Sequence, residues 1–141
     1  MKHPTVVAWG ECGLDNCMFL KLIASNSLVK CPVPVARQQE VFVRQMKGAI
    51  SVNKPLVVHS RDASDDTYRL MTETLPSDWK IHLHCFTGDD NEFAQKMLKA
   101  FPNLCIGFTG AITFKSAVKT REIVAQVPLD RLVSTTNSSQ F

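Results

Sequence analysis

Long hydrophobic runs are missing from this sequence. No apolar stretch approaches the roughly 18 residues that a bilayer-spanning helix needs, so no membrane partner is expected. After Met1-Lys2-His3-Pro4 the only apolar run is TVVAW, too short for the apolar region of a signal peptide, and no small-residue cleavage site follows. Cysteine pairs at C-x-x-C spacing are also missing. The cysteines are Cys12, Cys17, Cys31, Cys85 and Cys105, an odd number, which argues against a disulfide framework or a cysteine-type zinc site. They read as reduced thiols of an intracellular protein, cytoplasmic and/or nuclear, since no basic cluster serves as an address. Clustered charge is missing too. Lys and Arg number 16 against 13 Asp and Glu, scattered through the chain for a net charge of +3. That balance is compatible with a phosphate-bearing substrate but does not by itself argue for one. Neither a G-x-G-x-x-G nor a P-loop follows the first strand, so a nucleotide-binding fingerprint is absent.

What is present is alternation. The chain is 45% hydrophobic and 21% charged, a globular composition, and its 141 residues suit a single domain or part of one. Short β-rich runs stand at 5–9 (TVVAW), 55–59 (PLVVH), 80–84 (KIHLH), 104–108 (LCIGF) and 131–135 (RLVST). Helical patterns lie between them. Val41, Phe42, Met46, Ala49 and Ile50 repeat at helical spacing after Pro32 and Pro34. Ser64 is placed to cap a second helix with Asp65 and Asp66 in its first turn and Leu70 and Met71 on its buried side. Phe93, Ala94, Met97, Leu98 and Phe101 make an apolar stripe, and residues 115–127 give a fourth helix ended by Pro128. Five strands alternating with four helices predict an α/β fold with parallel strands and right-handed crossovers, either a doubly wound sheet or part of a (β/α)₈ barrel. Residues 16–30 fit neither pattern and read as a short helix over the barrel mouth or as an insertion foreign to the fold.

Functional side chains of parallel architectures gather where strands end. Glu11 follows the first strand, His59 ends the second, His84 ends the third and Asn137 follows the fifth. One carboxylate and two imidazoles delivered to one rim are a common donor set for a hydrolytic or oxygenase metal. The blander alternative is a set of hydrogen-bonding histidines and a surface carboxylate. His82 shares a face with His84 one pleat deeper, which suits packing or support behind the ligands.

WGECGLD (9–15), RQQEVFVRQM (37–46), KPLVVHSRDA (54–63), HCFTG (84–88), GFTGAITFKSA (107–117) and VPLDRL (127–132) come in the order and at the spacing of the TatD family. The chain resembles these metal-dependent deoxyribonucleases of the amidohydrolase-like TIM-barrel group over nearly its whole length, 16–30 excepted, and looks closest to animal members. The resemblance implies a single partial TIM-barrel domain over 1–141, covering barrel strands four to eight, from a truncated or mis-spliced product of marginal stability. It implies a divalent ion (Mg²⁺, Mn²⁺ or Zn²⁺), with one or two sites in the family and one half-site kept here. Glu11 matches the bridging glutamate, and with His59 and His84 it would hold that ion; Arg61 would meet substrate phosphate. The family's H-x-H strand has no counterpart, and Asn137 stands where the family carries a catalytic aspartate. An amide offers an oxygen but no charge and is not a useful base. The implied activity is cleavage of DNA phosphodiesters, exonucleolytic as the family's members are described; the alternatives are an inactive remnant that binds metal, nucleic acid or a partner, and an amidohydrolase of small amides or esters. DNA is the expected partner; no obligate protein partner is expected.

Overall fold

The computed structural model describes residues 3–17, 19–22, 27–30, 33–87 and 90–136. The elements run β1 (Trp9–Asp15), β2 (Phe19–Leu22), β3 (Ser27–Lys30), α1 (Val35–Ser51), β4 (Leu56–Arg61), α2 (Ser64–Thr74), β5 (Ile81–Leu83), α3 (Asn91–Ala100), β6 (Leu104–Phe108), α4 (Val118–Val124) and β7 (Leu132–Ser134), with 3₁₀ turns at Gly110–Thr113 and Leu129–Arg131. Strands β1, β4, β5, β6 and β7 form one sheet in that order, every neighbour parallel. A doubly wound sheet would reverse direction at a switch point. This one advances in a single direction, as the wall of a barrel does, and it is open, with β1 and β7 at its edges. The two alternatives left by the sequence therefore resolve to a partial (β/α)₈-type barrel.

Crossovers of one hand that always advance the same way put the helices on one face. Period-two alternation sends Leu14, Leu56, Val58, Ile81, Leu83, Leu104 and Ile106 to that face, where all are buried. Phe42, Met46 and Ala49 of α1, Leu70 and Met71 of α2, and Phe93, Ala94 and Met97 of α3 cover them. Each large side chain withdrawn from water there contributes about 1.5–3 kcal/mol. The other face carries Asp15, His59, Arg61, His82 and Gly107, and among the described residues the helices that supply the core lie on the opposite side.

Polar contacts fix the ends. The Trp9 indole N–H donates to Gln45 Oε1 at 2.6 Å. Its ring lies on Gly48, where a Cβ would come within 2.8 Å of Trp9 Cζ2, so α1 sits close against the start of β1. The Arg131 guanidinium donates to the carbonyls of Phe101 (2.7 Å) and Leu104, tying the approach to β7 to the end of α3 and the start of β6.

Four expectations change. The first strand is Trp9–Asp15, not 5–9: Val7 is 77% exposed, and the ladder with β4 starts only at Trp9. Glu11 is therefore inside β1 rather than after it. Ser64 does not cap α2; it is the first helical residue, Ala63 holds the cap position, and no side chain closes that end. The working cap is at α3, where the Asp90 carboxylate accepts from the Phe93 N–H at 2.9 Å. The last helix is shorter than 115–127, because Arg121 binds the carbonyls of Ile112 and Phe114 and holds the preceding segment off the helix axis. Within 16–30 the described backbone is an antiparallel strand pair, β2 with β3, rather than a helix. No helix among the described residues is long and apolar enough to cross a membrane.

Candidate metal centre

Three adjacent strands bring the candidate donors to one rim. Gly13 of β1 is level with His59 of β4, and Val58 of β4 is level with Leu83 of β5. His84 is thus placed beside His59, and its N–H donates to the Val58 carbonyl at 2.8 Å. Glu11 and Asp15 alternate with Gly13 on the uncovered face. Gly13 has φ +157°, and a Cβ there would overlap the His59 carbonyl, so only glycine lets β1 approach closely enough.

The His59 ring lies between two carboxylates. Nδ1 is 3.0 Å from Glu11 Oε1, and Nε2 is 3.4 Å from Asp15 Oδ2. Asp15 is the residue that sequence reasoning missed, although it ends the quoted GLD motif. A carboxylate on one imidazole nitrogen fixes the ring and leaves the other to face outward to a ligand or metal. Here the nitrogen that faces Glu11 is Nδ1.

His84 has different neighbours. Its Nε2 is 2.9 Å from Cys85 Sγ and its Nδ1 is 3.5 Å from Thr135 Oγ1. Burial, with a smaller contribution from Glu11, holds the Cys85 thiol above its usual value, so the sulfur stays protonated and is a poor metal donor. The His82 ring meets the His84 ring edge-on, centroids 5.5 Å apart at 88°. His82 Nε2 is buried without a hydrogen-bond partner among the described residues and lies over Gly107, where any Cβ would collide with it.

The structure thus pairs Glu11 with His59, sets His84 beside them just past the end of β5, and places Arg61 at the end of β4. Asn137 lies outside the described residues. Among the described residues no three His, Cys, Asp or Glu side chains are already drawn together to hold an ion. The donor chemistry nonetheless suits a divalent cation: carboxylate oxygens and imidazole nitrogens on one face, with an orienting carboxylate behind one ring.

His82 gives this rim a pH dependence. Burial holds its imidazole below the ordinary value of 6.5, His84 adds to the depression and Glu11 opposes it. As pH falls, the unfolded chain takes up this proton before the folded chain does. Stability from this group is therefore full above about pH 6.5 and declines below it. With a chelator present, His82→Phe is expected to lose less Tm than the parent on going from about pH 7 to about pH 5. Equal losses in the two proteins would contradict this.

Comparison with known proteins gives a consistent pattern. The TatD related DNase family matches residues 1–138. The human 3'-5' RNA nuclease TATDN2 is 41% identical over 141 residues, all of this chain and 17% of that protein. The 3'-5' ssDNA/RNA exonuclease TatD of Erwinia billingiae is 34% identical over 138 residues, 97% of this chain and 47% of that one. The crystal structure of YJJV, a TatD homologue from Escherichia coli K12, superposes with a TM-score of 0.69 at 30% identity, covering 90% of this chain and 43% of that one. The chain spans less than half the length of each of these relatives.

Proposed function

We propose, starting from the fact that this chain belongs to the TatD-related DNase family, that its rim hydrolyses phosphodiester bonds of single-stranded nucleic acid, DNA in the first instance, from a strand end. The observation that carries this reading is His59 held between Glu11 and Asp15, with His84 just past the end of the adjacent strand β5. Glu11, His59 and His84 would hold one divalent ion, Mg²⁺, Mn²⁺ or Zn²⁺. Such an ion supplies Lewis acidity, lowering the pKa of water and polarising a phosphoryl oxygen.

The chain's own residues then have separable tasks. Asp15 orients the His59 ring from Nε2, and Glu11 places negative charge at Nδ1. Arg61 ends β4 beside His59, and among the described residues its guanidinium makes no ion pair, so it is available to a phosphate. Asn137 brings no charge where the family pattern has aspartate, so it cannot serve as the proton acceptor.

The test is cleavage of an end-labelled single-stranded oligonucleotide by the purified chain with added Mn²⁺. Shortening from one end, stopped by EDTA and restored by excess Mn²⁺, is expected. Cleavage that continues in EDTA would contradict the reading. A second reading, a non-catalytic chain that binds metal or nucleic acid, is favoured by the absence of a ready-gathered donor group among the described residues. Its mark is Mn²⁺ or oligonucleotide binding with no cleavage.

A further inference from the structure

A cleft of about 740 Å³ opens on the same rim, lined by the end of β4 and by residues that follow β4, β5 and β6. Its contents are of three kinds. Arg61 and Lys119 are cationic. Phe86 and Phe93 are buried in its lining, stacked on each other with centroids 6.4 Å apart at 22°. Phe114 is the exception among these rings, at 64% exposure.

An isolated exposed apolar side chain needs no explanation. Phe114 differs because its backbone is held rigidly. Arg121 Nη1 donates to the carbonyls of Ile112 (2.9 Å) and Phe114 (2.7 Å), and the Ala117 N–H donates to the Phe114 carbonyl at 3.0 Å. The preceding 3₁₀ turn is closed by Thr109 Oγ1, which accepts from the Ala111 N–H, and by Thr113 Oγ1, which donates to the Gly110 carbonyl. A ring carried on a backbone held in this way needs less ordering when something flat is laid on it.

We infer that Phe114 is a stacking platform for a base of a single-stranded nucleic acid whose phosphates are met by Arg61 and Lys119. This rests on the hydrolase reading for its substrate class. It goes beyond that reading in naming the residue that grips the strand away from the metal donors. An exposed ring that shares one groove with cationic side chains is the combination by which strands are bound without sequence readout. Two carboxylates also line the cleft, Asp62 and Asp90. Asp90 is engaged as the α3 cap, whereas Asp62 opposes phosphate, which leaves more of the grip to the ring.

The test measures binding rather than turnover: fluorescence anisotropy of a labelled oligothymidylate, in EDTA, with the full chain. Phe114→Ala is expected to weaken binding about 10- to 100-fold and Phe114→Trp to retain it, since every base has a face on which a ring can stack. The slope of log affinity against log salt should be unchanged in Phe114→Ala and should drop by about 1 in Lys119→Ala. An oligomer of abasic sites should bind the parent weakly and lose nothing further with Phe114→Ala. Parent-like binding by Phe114→Ala, or an equal loss on the abasic strand, would overturn the assignment. Failure of the hydrolase reading has a different signature: Phe114-dependent binding persists, and added Mn²⁺ produces no cleavage.

Discussion

Glu11→Gln is expected to lower Mn²⁺-dependent cleavage more than about 100-fold, beyond the 10- to 100-fold that losing an orienting partner costs. The amide has the size of the carboxylate, so β1 keeps its place against β4. What it lacks is charge. Glu11 Oε1 stands 3.0 Å from His59 Nδ1, and a glutamine there offers a neutral oxygen or a donating N–H in place of an anion. Asp15→Asn makes the informative contrast. Asp15 touches the opposite nitrogen of the same ring at 3.4 Å and so acts by positioning His59. Its loss should fall within the 10- to 100-fold range and show mainly as a higher Mn²⁺ requirement. The assay is initial-rate cleavage of a labelled strand across a Mn²⁺ titration. Equal rates for Glu11→Gln and the parent would remove Glu11 from the site.

The second large effect is on stability. Gly13→Ala is expected to destabilise the fold by about 2–6 kcal/mol, the sum of an overpacked contact and a backbone held outside the range that alanine favours. At Gly13 the φ is +157°, and the added methyl would overlap the His59 carbonyl. The ladder that would have to open joins Gly13 to His59, Leu14 to Ser60 and Asp15 to Arg61, so the damage falls on an edge strand and on the candidate metal donors together. Thermal melting read by far-ultraviolet circular dichroism should show a Tm lower by more than about 6 °C, or no cooperative transition. Gly110→Ala is the matched control, since nothing lies within 4 Å of a Cβ there. A Gly13→Ala protein that melts with the parent would mean that β1 does not pack on β4 as described.

The two predictions also mark where sequence reading succeeds and where it stops. The α3 stripe was legible because Phe93, Ala94 and Met97 obey a helical period and the tertiary fold buries that face. The runs that became β4, β5 and β6 were legible as β-rich apolar segments between helical patterns. The first strand was displaced because GECGLD holds two glycines and two carboxylates, residues that disfavour strands when judged locally. What makes it a strand is non-local: glycine's lack of a side chain lets the backbone lie against His59. The pair β2–β3 was illegible because its segment shows no period on either template.

The site divides in the same way. Residue types and the predicted strand ends named Glu11, His59 and His84 as candidates, although Glu11 lies inside β1 rather than after it. They did not show that His59 faces both Glu11 and Asp15, because that follows from the β1–β4 register, which shifts between Trp9 and Cys12. Nor did they show that His84 stands beside Cys85 and Thr135, or that Phe114 is exposed while the other rings of the cleft are buried. Those are properties of loops set by contacts that no local period encodes, such as Arg121 on the Ile112 and Phe114 carbonyls.

The most direct measurement is isothermal titration of the metal-free chain with Mn²⁺, run in parallel on Glu11→Gln, His59→Ala and His84→Ala. One ion bound per chain, with affinity lost in each of the three variants, is the expected result. No binding by the parent, or binding that survives all three substitutions, would contradict a shared site at these residues.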